Sequence, residues 1–419
     1  MLIQLKVANF RSFGSEVTLS LEAVKAFKEQ DQNVIAADHY SLLRTTAIYG
    51  ANASGKSNLV KAFDFMRDFV LSSASKNSVA EIPAEPFRLD KNNIRKPSLF
   101  EVVFLLNGFT YRYGFEVTTE RVRSEWLLRS QGSSRNKEFK LFTRVQDKID
   151  VTDDFKEGLA REANTRNNAL FLSTVDQQNG PVAHEVVKWF NDLAILSGMR
   201  DEADERFTVK QLESQEKRKR IVDFVRQVDD TILDIISRDV SYPEKVLRNL
   251  PAAMAKTLRE QRHPALSLLR AQMDGGNPCG SVEFDLDMDE SAGTGKLLRL
   301  AGPWLDILDN RKVAFVDELE AKLHPQLTRR LVNLFNSPET NPRNVQLVFI
   351  THDTNLLTYG GLRRDQVWFC EKTPLGETDL YSLAEIKVRK GAKHEEQYIS
   401  GKYGAIPYFG NVQDVGGLE

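Results

Sequence analysis

The chain opens with two short alternations. Leu2-Ile3-Gln4-Leu5-Lys6-Val7 and Val17-Thr18-Leu19-Ser20-Leu21 place apolar and polar side chains with the period of a half-buried strand, and Gly14-Ser15 supplies a turn between them. Thr45–Tyr49 is a short apolar run of the kind that forms a fully buried strand. From Lys56 to Leu71 the period lengthens, and Leu59, Ala62, Phe63, Phe65, Met66 and Phe69 fall near one stripe of a helix. Two further apolar-rich runs, Leu99–Leu106 and Phe109–Val117, flank Asn107-Gly108. That pair suits a two-residue hairpin turn, whose central residues both need positive φ.

The character changes between about Asp153 and Gly275, where Lys, Arg, Glu, Asp and Leu dominate. The pattern there predicts helices over Val182–Leu196, Val209–Ser237 and Ala252–Met273. Pro181, Pro243, Pro251 and Pro264 interrupt the segment, so several helices are expected instead of one long coiled arm. Strand patterns return at Ser281–Leu286, Val313–Val316 and Val345–Ile350, with helices between them. The expected organisation is an α/β domain in two halves, 1–150 and 279–419, separated by a helical insertion at 151–278.

Composition narrows the partners more than the chemistry. The chain has 419 residues, 41% hydrophobic and 28% charged, enough for a sizeable core. No apolar stretch approaches the ~20 residues of a membrane-spanning helix. The start lacks a continuous hydrophobic signal core, so a cytoplasmic protein with no membrane contact is expected. Two cysteines, Cys279 and Cys370, cannot build a disulfide framework or a four-cysteine zinc site. Lys and Arg number 57 against 59 Asp and Glu, which argues against a protein that coats nucleic acid. Any nucleic-acid contact would have to come from local basic patches, at Lys217–Arg220 or at Lys387, Arg389, Lys390 and Lys393. The plainer reading of each patch is a solvated face.

The most specific signal is Gly50-Ala-Asn-Ala-Ser-Gly55-Lys56-Ser57, a G-x-x-x-x-G-K-[ST] loop lying between a buried strand and a helix. Its glycines let successive N–H groups and the helix N-terminus face phosphates. Gly50, Asn52, Ser54, Gly55, Lys56 and Ser57 are therefore candidate nucleotide contacts. Lys56 would reach the β- and γ-phosphates, and Ser57 would place its hydroxyl on Mg²⁺. Val313-Ala-Phe-Val-Asp317-Glu318 delivers two carboxylates from the end of a buried strand, with Asp317 expected on the metal side and Glu318 orienting the attacking water. Val345-Gln-Leu-Val-Phe-Ile-Thr351-His352 ends another buried strand on a histidine placed to contact the γ-phosphate. Ser291-Ala-Gly293-Thr294-Gly295-Lys296 precedes a helix; it is simply a capped helix start, or an anion cradle.

In this order, together with Leu323-His324-Pro325, these motifs resemble those of ABC-type ATPase heads. More narrowly they look like AAA-type, OLD-like ATPases of the RloA and AbiLi type, a resemblance extended by Asn9-Phe10-Arg11-Ser12-Phe13 and by Tyr398-Ile-Ser-Gly-Lys-Tyr403-Gly-Ala-Ile-Pro407. The resemblance implies a P-loop α/β head, with an N-terminal β-rich lobe and the helical insertion, that uses ATP and Mg²⁺. It implies a homo-oligomer in which paired heads trap two ATPs, with higher assemblies built from such dimers. Ser291 and Gly293 would then reach the nucleotide of the opposite subunit, Leu323-His324-Pro325 would lie at the dimer seam, and Arg11 would sit near the phosphates. A glutamine matching the family's Q-loop is missing, and Glu101 is its substitute. The insert lacks a C-x-x-C hook, so a long hooked arm is not expected.

The resemblance further implies antiphage defence or abortive infection. The toxic chemistry would lie in a separate effector, an RloB-like, TOPRIM-related or HNH nuclease. The stretch after His352 is too short for the extra nuclease domain of full-length OLD proteins. Two other readings stay open: a RecF-like DNA-repair ATPase clamping DNA between heads, and a non-hydrolysing ATP-sensing scaffold, which Glu318 argues against. A transporter subunit and a GTPase fit less well, the latter for want of an N-K-x-D element. Tyr403–Phe409 is expected as a loop packed on the core, and Arg363, Arg364 and Asp365 as a solvated turn before the strand Gln366–Cys370.

Overall fold

Runs that are apolar throughout become a parallel sheet buried on both faces, and runs that alternate become an antiparallel lobe. The computed structural model describes residues 1–132, 138–197, 201–241, 247–248, 250–260, 262–310, 313–389 and 391–407. It divides the chain into two units, Met1–Ser197 with Asn310–Leu319 and Arg329–Glu419, and Gly198–Asp309 with Glu320–Thr328.

In the first unit the chain forms β1 (Leu2–Ala8), β2 (Val17–Ser20), β3 (Val34–Ala37), β4 (Tyr40–Leu43), β5 (Thr45–Gly50) and helix α1 (Lys56–Ser72). It continues through β6 (Ser98–Leu106), β7 (Phe109–Val117), β8 (Val122–Gln131), β9 (Phe139–Val145) and β10 (Lys148–Val151), then α2 (Phe171–Gln177), α3 (Pro181–Asn191) and β11 (Ala194–Ser197). The second unit contains α4 (Asp201–Leu212), α5 (Gln215–Arg226), β12 (Ile232–Ser241), α6 (Ala252–Glu260), β13 (Arg262–Asp274), β14 (Asn277–Asp285) and α7 (Ala292–Asn310), whose last residue belongs to the first unit. Then come β15 (Val313–Asp317), α8 (Pro325–Asn336), β16 (Gln346–Ile350), α9 (Asn355–Tyr359), β17 (Val367–Lys372), β18 (Thr378–Ser382) and α10 (His394–Ile399).

Seven strands make the antiparallel lobe in the order β10-β9-β8-β7-β6-β1-β2. The hairpin at Asn107-Gly108 turns as expected, with φ of 50° and 78° and Leu106 facing Phe109. Six strands make the core sheet, β11-β15-β16-β5-β17-β18, parallel except for β18. Helix α1 buries Leu59, Phe63, Met66 and Phe69, and Phe63 stacks on Phe315 of β15 with ring centroids 4.0 Å apart. Gln346 joins the two sheets: its Oε1 accepts from Leu2 N at 2.6 Å, and its Nε2 donates to Leu2 O and Leu43 O.

The middle of the chain differs from the expected helical insertion. The segment Val182–Leu196 is helical only to Asn191, after which Ala194–Ser197 pairs in parallel with β15 at the edge of the core sheet. The region expected as one helix from Val209 to Ser237 is α4, α5 and strand β12, and Ala252–Met273 is a short helix followed by strand β13. Strands β12, β13 and β14 form an antiparallel sheet of their own. Local pattern explains the change. Ile232 and Ile235 are β-branched, and Leu266 and Leu268 alternate with period two; all four are buried with Ile221, Val222 and Val225 of α5. Charge density concealed that alternation. Pro243 and the side chain of Pro264 lie outside the described residues.

The segment Arg363–Asp365 is no solvated turn. Arg363 and Asp365 are 1% and 3% exposed and form a two-bonded ion pair at 2.9 Å, with Asp365 also accepting from Val24 N. Tyr403 packs as expected, 3% exposed, with its carbonyl accepting from Tyr381 Oη at 2.7 Å; Tyr408 and Phe409 lie outside the described residues.

Replacing Phe63 by Ala should remove the stacking of α1 on β15 and leave a cavity. The expected loss is about 3–5 kcal/mol of stability, read as a lower urea midpoint by circular dichroism; an unchanged midpoint would remove this contact from the core.

Candidate functional site

Three parallel strands of the first unit end side by side. Val316 of β15 faces Phe349 of β16, and Ile350 faces Ile48 of β5. Their C-terminal ends therefore present Asp317-Glu318, Thr351-His352 and the loop after Gly50 to one place, the usual position for a ligand on an open parallel sheet. A cavity of about 410 Å³ lies there, lined by Asn52, Ser54, Gly55, Lys56, Ser57, Asp317, Glu318 and His352 together with Ser12, Asn58 and Lys372. Most of the predicted contacts thus converge.

The loop is held from beneath. Gly55 has φ 102°, and a Cβ there would fall 2.0 Å from Thr378 Oγ1 and 2.5 Å from Ser12 Oγ, so only glycine fits. At Gly50 a Cβ would meet Cys370 O at 2.4 Å. Gly50 itself ends β5 outside the cavity lining and contributes its carbonyl, which accepts from Lys56 Nζ at 2.7 Å; Ala51 O accepts from the same ammonium, also at 2.7 Å. Thr378 Oγ1 donates to Ser54 O at 2.7 Å and lies at the same distance from Ser12 Oγ, which accepts from Asn58 Nδ2 at 2.8 Å. Tyr398 and Phe369 stack behind the strand, with ring centroids 5.4 Å apart. Burial pushes the neighbouring Cys370 thiol up to about 12, which leaves it protonated and unreactive near neutrality.

The residues suit a phosphate and a hard cation. Ser54 Oγ is buried and has no partner among the described residues, at the centre of a loop whose helix N-terminus begins at Lys56. Ser57 Oγ donates to Asp317 Oδ1 at 3.2 Å, which sets two oxygen donors side by side as Mg²⁺ requires. Glu318 adopts φ 55°, an uncommon conformation for a carboxylate residue, directly beyond the end of β15. Leu319 N donates to Ile350 O at 3.2 Å and ties that turn to β16.

Arg11 is placed differently from the expectation. Phe10 and Phe13 are both buried and bond to each other through N–H and C=O, so the two residues between them project outward in a tight turn. Ser12 faces the cavity, whereas the Arg11 guanidinium pairs with Glu85 at 2.5 Å and its N–H donates to Glu85 O. Glu101 is no substitute for a Q-loop residue: on β6 it is 7% exposed and accepts from Arg112 at 3.0 Å and Trp126 Nε1 at 2.9 Å. Ser12 lies within the Asn9–Phe13 motif, whereas Thr378 and Lys372 carry no local signal.

Ser291 and Gly293 belong to the second unit. Ser291 Oγ accepts from Thr294 N at 3.1 Å, the capped helix start read from the sequence. Gly293 approaches the chain at Lys322, whose carbonyl would lie 3.3 Å from an added Cβ. On the segment Leu323-His324-Pro325, Leu323 N donates to Glu320 O at 2.8 Å and His324 Nδ1 accepts from Gln326 N at 3.2 Å. The basic run of α5 is partly neutralised: Arg218 is bidentate to Asp234, and Arg220 meets Asp309 at 2.5 Å. Among the second patch Lys393 pairs with Glu396, and Lys390 lies outside the described residues.

A family model described as "AAA domain, putative AbiEii toxin, Type IV TA system" matches residues 45–358. No curated protein matches the chain. Among solved structures it is similar to the SMC head domain from Thermotoga maritima, at 14% identity and TM-score 0.41, over 92% of this chain and 99% of that one. The Smc head with an extended coiled coil bound to the C-terminal domain of ScpA, derived from Pyrococcus furiosus, gives 12% identity and TM-score 0.42 over 91% and 96%. The transporter component cbiO1 of Clostridium perfringens gives 11% and 0.32 over 96% and 92%. No described helix is long and apolar enough to cross a membrane.

Gly55→Ala should abolish nucleotide binding, because neither φ 102° nor the 2.0 Å approach tolerates a methyl group. Titration with a fluorescent ATP analogue checks this; wild-type affinity in the variant would show that the loop is not the binding element.

Proposed function

We propose, for a chain that belongs to the AAA-domain family matched over residues 45–358, that the cavity at Lys56 binds and hydrolyses ATP and that hydrolysis resets a dimeric switch. The order of the phosphate loop, Asp317-Glu318 and His352 supports the reading of an ABC-type P-loop ATPase. The observation that carries the proposal is the convergence of Lys56, Ser57, Asp317, Glu318 and His352 on one cavity at the ends of β5, β15 and β16.

In this reading ATP lies with its phosphates over the N-terminus of α1. Lys56 Nζ leaves the carbonyls of Gly50 and Ala51 for the β- and γ-phosphates. Ser57 and Asp317 would hold Mg²⁺, which would supply charge neutralisation on the phosphates. Glu318 accepts the proton of a water whose oxygen bonds to the γ-phosphorus while the bridging P–O bond breaks, releasing ADP and phosphate. His352 donates a hydrogen bond to the γ-phosphoryl oxygens as charge shifts. Ser291 and Gly293 of a second copy complete the site, as the resemblance to ABC heads implies.

The switch is proposed to govern a separate toxic effector in antiphage defence or abortive infection, in the manner of the RloA and AbiLi type. The family description, with its toxin and Type IV toxin–antitoxin system, supports that setting. An effector chemistry in the acidic loop Asp285–Glu290 is disfavoured. Its carboxylates are engaged: Glu290 by Arg270, Asp287 by Arg299, and Asp285 by the N–H groups of Asp287 and Met288. The RecF-like alternative needs a basic surface, and the pairing of Arg218 and Arg220 weakens it.

Glu318→Gln should bind ATP yet hydrolyse it about 10²–10⁴ times more slowly, and it should accumulate an ATP-bound dimer by light scattering. Turnover at the wild-type rate would exclude Glu318 as the base. Ser291→Arg should retain ATP binding while losing ATP-dependent association; dimerisation at wild-type levels would end the across-subunit role.

A further inference from the structure

A second cavity, of about 650 Å³, opens in the first unit at the other end of β5. The phosphate loop follows Gly50, whereas this cavity is floored by Asn336, which bonds to Thr45 at the start of the strand. Six residues of strand separate the two ends, about 17 Å.

The floor contains a buried amide donor. Asn336 is 5% exposed, and its Nδ2 has no partner among the described residues. Its orientation follows from the surrounding bonds. Gln366 Oε1 accepts from Arg363 N at 2.9 Å and from Asn33 Nδ2 at 2.8 Å, which makes the other Gln366 atom the donor. That Nε2 donates to Thr45 O, Thr45 Oγ1 and Asn336 Oδ1, and the Thr45 hydroxyl donates to Asn336 Oδ1 at 2.9 Å. Asn336 Oδ1 is thus fixed as the acceptor and Nδ2 is left over. A buried unpaired amide donor costs stability, and a ligand acceptor would satisfy it.

The walls add further chemistries. Tyr359 is 58% exposed and offers a flat aromatic face. Arg329 is exposed at the rim and has no anionic partner among the described residues. Arg44, not among the lining residues, is 5% exposed, and among the described residues its guanidinium donates to carbonyls, Gln32 O at 2.8 Å and Asn341 O at 3.4 Å. Arg329 and Glu339 both line the cavity. The Asn333 carboxamide, also on the lining, has no partner among the described residues, and carboxamides pair with the edges of nucleobases.

We propose that this cavity is a second ligand site, separate from the phosphate loop, that takes a 5′-phosphorylated nucleoside. The base stacks on Tyr359 and accepts a hydrogen bond from Asn336 Nδ2, Glu339 accepts from the ribose hydroxyls, and Arg329 pairs with the phosphate in the field of Arg44. The volume suits a ligand of that size. Such a group exists free or within single-stranded nucleic acid, and the chemistry is the same for both.

The test is isothermal titration of the Lys56→Ala protein, in which the phosphate loop is disabled, with AMP, GMP, CMP, UMP, inorganic phosphate and a short single-stranded oligoribonucleotide. One site for at least one mononucleotide is expected, weakened roughly tenfold or more by Arg329→Glu and by Tyr359→Ala. Both residues are exposed, so these variants should fold. Asn336→Asp, which keeps the acceptor and removes the donor, should weaken binding as well. Binding of the oligoribonucleotide but of no mononucleotide would support the site and assign it to a strand. No binding by any probe, binding of inorganic phosphate alone, or binding indifferent to Arg329→Glu and Tyr359→Ala would overturn the proposal.

Discussion

Strands β5, β15 and β16 are buried along nearly their whole length, and their C-terminal ends open on the phosphate loop, on Asp317-Glu318 and on Thr351-His352. A slip of one residue in such a sheet would turn every side chain over and move the terminal group by about 3.3 Å. The pairings of Val316 with Phe349 and of Ile350 with Ile48 therefore fix where Asp317, His352 and the phosphate loop stand relative to one another. Stacking of Phe63 on Phe315 then locks α1, and with it Lys56 and Ser57, to the same sheet.

Around that frame a small polar cluster supports the loop. Ser12 comes from the turn after β1, Asn58 from the first turn of α1, and Thr378 from the start of β18, more than three hundred residues along. Thr378 N also donates to Ser12 O at 2.7 Å. The antiparallel strand β18 thus braces the loop from the opposite side to β15 and β16. Substitution of Gly55 is blocked by this brace as much as by its own backbone angle.

The second unit follows a different logic. Its apolar cluster is smaller, and charged pairs such as Arg270 with Glu290 and Asp229, and Arg299 with Glu205, hold its sheet and helices. Lys296, fully buried, lies 3.8 Å from Asp204. These pairs leave much of the unit's charge internally balanced, which is why basic runs in the sequence do not translate into basic surface at Arg218 and Arg220.

Local pattern by itself determined the hairpin at Asn107-Gly108, the strands at either end of the chain and the phosphate loop with its helix, because in each the period of apolar residues and the demands of glycine act within a few neighbours. It also marked Asp317, Glu318 and His352, since polar groups directly after four or five buried apolar residues have few places to go. Tertiary structure alone decided the rest. Ile232–Ser241 and Arg262–Asp274 are strands because they pair with each other and cover α5, a choice that charge-rich composition hides. Arg11 turns to Glu85 because Phe10 and Phe13 are both drawn into the core. Thr378 reaches the loop, and Asn336 is set with a donor unpartnered among the described residues, through contacts between segments hundreds of residues apart, and such contacts leave no trace in a local pattern.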